Sequence, residues 1–141
     1  VQRADKQAKP VLEIAHQYEP RFPGFRKFVR PIDEIPTLPN GWQQVLRSVK
    51  GVYLLVDLDN GKQYVGSAKG AESLFGRWMS YVGGGHGGNL GLKKAAADGP
   101  RRYQVSVLEV VDENTPDGTI EQIESYWKSK VLSREFGLNE G

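Results

Sequence analysis

Apolar side chains after residue 40 recur with the periods of strands and helices, which predicts one small mixed domain. Residues 51–57 form a strand-like run, and residues 62–66 form a second run after the turn signal Asn60-Gly61. The other predicted elements are helices at 41–49, 74–82, 93–97 and 120–132, a third strand at 103–111 and a glycine-rich connector at 83–91. This order predicts an α/β or α+β fold, in which a small three-stranded sheet of the antiparallel type is flanked by helices.

The predicted hairpin brings two tyrosines onto one face of the sheet. With Asn60-Gly61 as a two-residue turn, Tyr64 lies opposite Asp57 on the first strand. Tyr53 precedes Asp57 by four residues, and side chains an even number of residues apart in a strand share a face. We therefore expect Tyr53 and Tyr64 to point the same way.

The first 40 residues differ from the rest of the chain in charge and in proline content. Six of the eight prolines lie between residues 10 and 39, which excludes a long helix or a central strand and leaves room for a short helix at 11–18. Residues 1–50 carry nine Lys or Arg against five Asp or Glu, whereas residues 51–141 carry ten against twelve. We interpret residues 1–40 as a basic, proline-rich, irregular arm or linker that leans on a folded domain at 41–141.

Basic and aromatic residues are interleaved in this arm, and two interpretations of them stay open. The basic residues are Arg21, Arg26, Lys27 and Arg30, and the aromatic residues are Phe22, Phe25 and Phe28. In one interpretation the basic side chains contact nucleic-acid phosphates, while the rings stack on bases or pack on the domain. In the other, which we favour, the rings only cover an exposed sheet edge or surface of the domain.

The overall composition narrows the classes of function. The formal net charge of +2 excludes a protein that coats nucleic acid by bulk charge, although it permits a local basic groove. With no Cys and only two His, disulfides, thiolate zinc sites, cysteine nucleophiles and multi-histidine metal sites are excluded. No apolar run approaches the ~18 residues of a membrane span, so we expect no membrane partner. Because the sequence shows no thiols and no export signal, we expect a cytoplasmic location. Because the chain begins with Val1 rather than Met, we expect a fragment or a processed form, with room for a further domain upstream.

Three polar residues on the predicted helices lie where chemistry could occur. Glu124 lies at the edge of the apolar stripe of the last helix, where a carboxylate needs a partner. A hydrogen-bonded glutamate and a metal ligand both fit that position, and the pattern alone favours the first. Arg77 and Tyr81 are one helical turn apart, an arrangement that suits phosphate binding and equally suits an ordinary surface pair.

The hairpin and the residues after it resemble the GIY-YIG nuclease superfamily. The tripeptides Gly51–Tyr53 and Tyr64–Gly66 match the two motifs that name the superfamily, with valine in place of each isoleucine. The later family positions are matched, in chain order, by Arg77, Tyr81, Glu124 and Asn139. The resemblance extends over residues 48–141 and implies the GIY-YIG nuclease fold.

The resemblance also implies a reaction, namely hydrolysis of phosphodiester bonds in DNA with one divalent cation, Mg²⁺ or Mn²⁺. Glu124 would bind the cation and Arg77 would clamp the scissile phosphate. Tyr53 would orient or deprotonate the attacking water. Because a phenol with a pKa of about 10 is a weak base at neutral pH, its pKa would have to be lowered, or Tyr81 would have to relay its proton. Tyr64 would support Tyr53 or the water.

Supporting roles follow from the same resemblance. Gly51 and Gly66 would let the backbone approach the substrate or close the hairpin. Asn139 belongs to the catalytic set of the family, although it lies two residues from the end of this chain. Lys69, in the loop after the hairpin, is a candidate for a further phosphate contact.

Two other functions stay open from the sequence. The domain could keep the fold and bind nucleic acid without cutting it, or it could be a nuclease for RNA or for branched DNA. The sequence does not indicate an oligomeric state.

Overall fold

A computed structural model describes residues 19–82, 92 and 101–140 of the chain. The elements in chain order are β1 (Val29–Pro31), a 3-10 helix (Ile32–Thr37), α1 (Asn40–Arg47), β2 (Lys50–Asp57), β3 (Gln63–Ala68), α2 (Leu74–Met79), β4 (Tyr103–Val111), α3 (Asp117–Val131) and α4 (Ser133–Phe136). The antiparallel sheet with flanking helices confirms the predicted fold class. The helices predicted at 11–18 and 93–97 and the connector predicted at 83–91 lie outside the described residues. Within those ranges, no helix has the length and apolar character that a membrane crossing requires.

The sheet has four strands, not the predicted three, in the order β1-β4-β2-β3. The additional strand, β1, pairs antiparallel with β4 and places Val29 opposite Ser106. It is only three residues long and ends at Pro31, a residue that strands tolerate at a sheet edge, so it shows no alternating pattern in the sequence. Part of the segment that we interpreted as an arm is therefore an edge strand of the domain.

Aromatic residues of the same segment pack into the domain beside β1. Phe28 is completely buried and stacks on Trp78, with ring centroids 5.6 Å apart. Phe22 stacks on Phe28 at 5.8 Å and meets Trp42 edge to face at 5.7 Å. These contacts show the rings packed on the domain, which both interpretations allow, and they leave the buried ring of Phe28 unable to stack on a base.

The register of the β2–β3 hairpin differs by two residues from the predicted one. Tyr64 lies opposite Leu55 rather than Asp57. Because a slip of two residues leaves every side chain on its original face, Tyr53 and Tyr64 still share one face of the sheet, as predicted.

A longer turn than Asn60-Gly61 accounts for this register. The Asp59 N–H donates to the Asp57 side chain at 2.8 Å, so Asp57 begins the turn through a local side-chain hydrogen bond. Gly61, at φ +76°, donates its N–H to the Asp57 carbonyl at 2.8 Å. The chain therefore reverses over residues 58–61, and Gly61 supplies the positive φ at the end of this reversal.

The two faces of the sheet carry separate apolar cores. One face packs against the 3-10 helix, α1 and α2, and its largest buried side chains include Trp78, Tyr53 and Tyr81. Helix α3 covers the other face, where Ile120 packs with Val52 and Val65. Since β3 is the last strand of the sheet and contacts both α2 and α3, these helices approach the same edge from opposite faces.

Candidate active site

Side chains from both faces of the edge strand β3 meet at a polar cleft. The cleft has a volume of about 320 Å³, and its lining residues are Tyr64, Ser67, Lys69, Glu72, Arg77 and Glu124. Tyr64 and Ser67 are three residues apart on β3 and so point to opposite faces. Arg77 approaches from α2 on the Tyr64 face, and Glu124 approaches from α3 on the Ser67 face. The edge of the sheet thus joins three of the predicted catalytic residues, which lie on three different elements, and the predicted phosphate contact Lys69.

Tyr53 and Tyr81 lie behind this cleft and contact Arg77. The hydroxyl groups of Tyr53 and Tyr81 are 2.6 Å apart, and both side chains are almost completely buried. Arg77 donates from Nε to the Tyr53 hydroxyl at 3.3 Å, and its guanidinium carbon lies 5.2 Å from the centroid of the Tyr81 ring. The two phenols therefore orient the cation of Arg77 but are not among the residues that line the cleft.

The two motif glycines allow close packing within the sheet. Gly66 is the cross-strand partner of Tyr53, and a Cβ on Gly66 would lie 2.6 Å from the tyrosine hydroxyl oxygen. A Cβ on Gly51 would collide with the carbonyl oxygen of Glu109, beside an irregularity in the β2–β4 pairing. Both glycines thus leave room for neighbouring protein atoms, and their roles in substrate approach or hairpin closure stay predictions.

Burial raises the pKa of each of the three clustered tyrosines. For Tyr53, burial is the largest cause and the neighbouring Tyr81 adds to it, while the positive charge of Arg77 opposes both without outweighing them. Burial, Tyr81 and Glu124 together raise the pKa of Tyr64. Burial also raises the pKa of Tyr81, although its hydrogen bond with Tyr53 acts in the opposite direction. Arg77 alone therefore does not lower the pKa of Tyr53 toward neutral pH, where a general base has to be available in its deprotonated form.

Arg77 keeps its positive charge in this setting. Burial favours loss of the proton, but the phenols of Tyr53 and Tyr81 and the carboxylate of Glu72 together raise the pKa of the guanidinium. The cleft thus has a permanent cation on its α2 side.

Glu124 is held through both of its carboxylate oxygens. The Ser67 hydroxyl donates to Oε1 at 2.5 Å, and the ammonium group of Lys128 pairs with Oε2 at 2.8 Å. The side chains of Glu124 and Lys128 are only 16% and 19% exposed. The carboxylate that the family resemblance implies as a metal ligand is therefore held at the wall of the cleft.

Lys69 lines the cleft and also contacts α3, and its contact with a phosphate stays a prediction. Its ammonium group pairs with Glu121 at 2.6 Å, and the N–H of the next residue, Gly70, donates to Asp117 at 2.9 Å. The loop after β3 is thereby tied to the first two turns of α3.

Asn139 lies outside the cleft, on the open edge of β3. Its side-chain oxygen accepts from the Val65 N–H at 2.8 Å, and its side-chain nitrogen donates to the Val65 carbonyl at 2.9 Å. The neighbouring Leu138 N–H donates to the Gln63 carbonyl at 2.8 Å. The C-terminal segment thus binds the edge of β3 as a further strand would. Asn139 attaches this segment to β3 and does not line the cleft with the other site residues.

The basic residues predicted to contact nucleic acid in the N-terminal segment also lie outside the cleft. Arg21, Arg26 and Lys27 are exposed. Arg30 pairs with Glu34 at 3.5 Å, and its guanidinium carbon lies 5.1 Å from the centroid of the Trp42 ring. Their contact with nucleic acid stays a prediction.

Three residues of the site were not predicted from the sequence, namely Ser67, Glu72 and Lys128. Ser67 directly follows Gly66, and strand alternation would have placed it on the face opposite Tyr64. Lys128 follows Glu124 by one helical turn, a spacing that favours an ion pair. Both patterns can be read from the sequence, but only the packing of α3 against the β3 edge brings Ser67 and Lys128 together at Glu124.

Comparison with known proteins identifies the family to which the chain belongs. A search of curated proteins found no significant match. Among solved structures, the catalytic domain of the intron endonuclease I-TevI, in a mutant form, matches with a TM-score of 0.51 and 24% sequence identity. The match covers 64% of this chain and 92% of that one, and it shows a common fold. The family model described as the GIY-YIG catalytic domain matches residues 49–139, so the chain belongs to the GIY-YIG family of nuclease domains.

Proposed function

We propose that the chain is a metal-dependent endonuclease that hydrolyses phosphodiester bonds in DNA. The observation that carries the proposal is the cleft at the edge of β3, where Tyr64, Arg77 and Glu124 line one space. Family membership supports a nuclease, and the fold relative is an intron endonuclease, which supports cleavage within a strand. DNA is the substrate that the motif resemblance implies.

The donor set around Glu124 fits a Mg²⁺ or Mn²⁺ ion. Magnesium prefers oxygen ligands, keeps several waters and is usually bound through one or two carboxylates together with substrate phosphates. Glu124 supplies one carboxylate, and Glu72 is the other acidic residue that lines the cleft. The described residues, those of the cleft included, contain no group of three or more His, Cys, Asp or Glu side chains that could hold an ion, so substrate phosphate and water would supply its other ligands. When bound, the cation would offset negative charge on the scissile phosphate and on the leaving oxygen.

Arg77 would bind the scissile phosphate from the opposite wall of the cleft. A guanidinium offers a planar set of donors that matches two phosphate oxygens. The hydroxyl of Tyr53 already receives the Nε–H of Arg77, and Tyr81 lies against the same guanidinium. A cation that is held in place before the substrate arrives can stabilise developing charge without reorganising.

The tyrosines would act in two different ways. Tyr64 lines the cleft, and the negative charge of Glu124 helps to raise its pKa. Its protonated hydroxyl would hold the attacking water by a hydrogen bond. Tyr53 is completely buried with a raised pKa, so we assign it to the positioning of Arg77 rather than to removal of a proton from water. In both roles the phenol stays protonated at neutral pH.

Nicking of a supercoiled plasmid in the presence of Mg²⁺ or Mn²⁺ tests the proposal. We expect cleavage by the wild-type chain and by Glu135→Gln, a charge-matched control at an exposed position. Glu124→Gln is expected to give only background cleavage, and Arg77→Lys a rate lower by about 10²-fold. Wild-type cleavage by Glu124→Gln, or no cleavage by the wild type on duplex, single-stranded and branched DNA, would contradict it. DNA binding without cleavage would instead indicate a binding module, and cleavage of RNA alone would indicate a ribonuclease.

A further inference from the structure

The carboxylate of Glu124, which we assign to the metal ion, forms an ion pair with Lys128. Lys128 follows Glu124 by one turn of α3, and its ammonium group lies 2.8 Å from Oε2. Ser67 donates to the other oxygen, Oε1. Each oxygen can accept a second partner, but a divalent cation that binds Glu124 comes close to the positive charge of the Lys128 ammonium group.

The two partners of Glu124 differ in how easily they can leave. Ser67 is a short side chain on a paired strand, and its neutral hydroxyl can orient the carboxylate while a cation binds the other oxygen. Lys128 has a long, flexible side chain and a compact, strongly hydrated charge. Its ammonium group would also repel a divalent ion a few ångströms away. The ammonium is therefore the partner that gives way.

The other cations near the cleft have different partners. Lys69 pairs with Glu121 at 2.6 Å, and Arg77 contacts Tyr53 from the α2 side. A carboxylate that is mostly buried is costly to leave without a counter-charge, and Lys128 supplies this charge from the same helix.

We infer that Lys128 is a placeholder cation, which neutralises Glu124 until a divalent ion displaces its ammonium group. This inference rests on the proposed function, because it takes Glu124 as the metal ligand. The consequence is an affinity for the ion that is lower than the carboxylate alone would provide, since its binding displaces the ammonium group. Lys128 thus stabilises the site without an ion and lowers the affinity of the site for the ion.

A Mn²⁺ titration without DNA, followed by the electron paramagnetic resonance signal of the free ion, tests this inference. Lys128→Gln is compared with Lys130→Gln, which removes the same charge from an exposed position on the same helix. We expect Lys128→Gln to bind Mn²⁺ about 3- to 10-fold more tightly than Lys130→Gln. Lys128→Arg keeps the charge and is expected to bind about as the wild type does. Lys128→Met, which keeps the aliphatic stem, replaces the glutamine variant if circular dichroism shows that glutamine disturbs folding.

The outcomes separate this inference from the proposed function. If neither Lys128→Gln nor Lys128→Met binds Mn²⁺ more tightly than Lys130→Gln, the placeholder role is wrong. Glu124→Gln tests the metal site itself, because wild-type affinity in that variant would mean that the ion binds elsewhere.

Discussion

The ring of Tyr53 occupies the space that a side chain on Gly66 would fill. The two residues are direct partners in the β2–β3 pairing, and they belong to the first and the second tripeptide motif respectively. Beyond the glycine, the tyrosine hydroxyl meets Tyr81 and the Nε–H of Arg77. The motif glycine therefore determines where the tyrosine lies, and the tyrosine in turn positions the arginine of the cleft.

Gly66→Ala should displace Tyr53 and thereby disturb Arg77. The added Cβ would lie 2.6–2.9 Å from three atoms of the tyrosine, so we expect overpacking to lower the free energy of unfolding by about 1–3 kcal/mol. Urea denaturation measures this loss, and plasmid nicking should fall with it. Gly118→Ala is the control, because a Cβ there meets no atom within 4 Å and alanine favours the helix. Equal unfolding free energies for the two variants would show that the predicted steric clash at Gly66 is absent.

Ser67→Ala should raise the metal requirement for cleavage and have only a small effect on the stability of the fold. The change removes the hydroxyl that orients Glu124, and loss of such a partner typically costs about 10- to 100-fold in metal affinity or activity. We expect the Mg²⁺ concentration for half-maximal cleavage to rise by about 10-fold, with the free energy of unfolding lowered by about 1 kcal/mol. Ser129→Ala, at an exposed position of α3, is the matched control. An unchanged Mg²⁺ requirement for Ser67→Ala would argue against an orienting role for the hydroxyl.

The buried tyrosines should make the fold sensitive to alkaline pH. Burial raises the pKa of Tyr53 and Tyr64 in the folded chain above the value of about 10 for an unfolded one. Their contribution to stability is therefore complete below about pH 10 and declines above it, because the unfolded chain releases its protons first. Each such tyrosine can lower the free energy of unfolding by up to about 1.4 kcal/mol per pH unit in that range.

Tyr53→Phe isolates one of these groups. Urea denaturation between pH 8 and pH 11 should show a shallower alkaline decline for this variant than for the wild type. Tyr126→Phe, a change at an exposed ring on α3, serves as the control. The same slope in Tyr53→Phe and in the wild type would mean that Tyr53 does not stay protonated in the folded chain.

Asn139→Ala should lower stability more than activity. Its amide makes two hydrogen bonds to Val65 in a buried position, so we expect a loss of about 1–3 kcal/mol in the free energy of unfolding. At a temperature at which the variant is folded, plasmid nicking should stay within about 3-fold of the wild type, because Asn139 does not line the cleft. Asn114→Ala, in an exposed turn, is the control. Normal stability with abolished nicking would instead assign Asn139 to catalysis, as the motif resemblance implied.

Local patterns were sufficient to predict much of the fold. Strand β4 has the bounds predicted for it, and Tyr53 and Tyr64 share a face even though the hairpin register differs by two residues. Alternation with a period of two depends only on near neighbours in the chain, so it can be read from the sequence. Strand β1 was missed because its three residues gain their structure by pairing with β4, which is distant in the sequence.

The sequence by itself determined which residues can carry the chemistry and the order in which the chain presents them. Only the tertiary structure decided that Tyr64 and Glu124, which approach from opposite faces of the sheet, line the same cleft. Side chains of opposite faces can meet only around an edge strand, and β3 is at the edge because of the strand order. That order depends on pairing and packing between distant elements, which no local pattern encodes. The same long-range packing gave Glu124 its partner Ser67 and placed Asn139 on the strand edge instead of in the cleft.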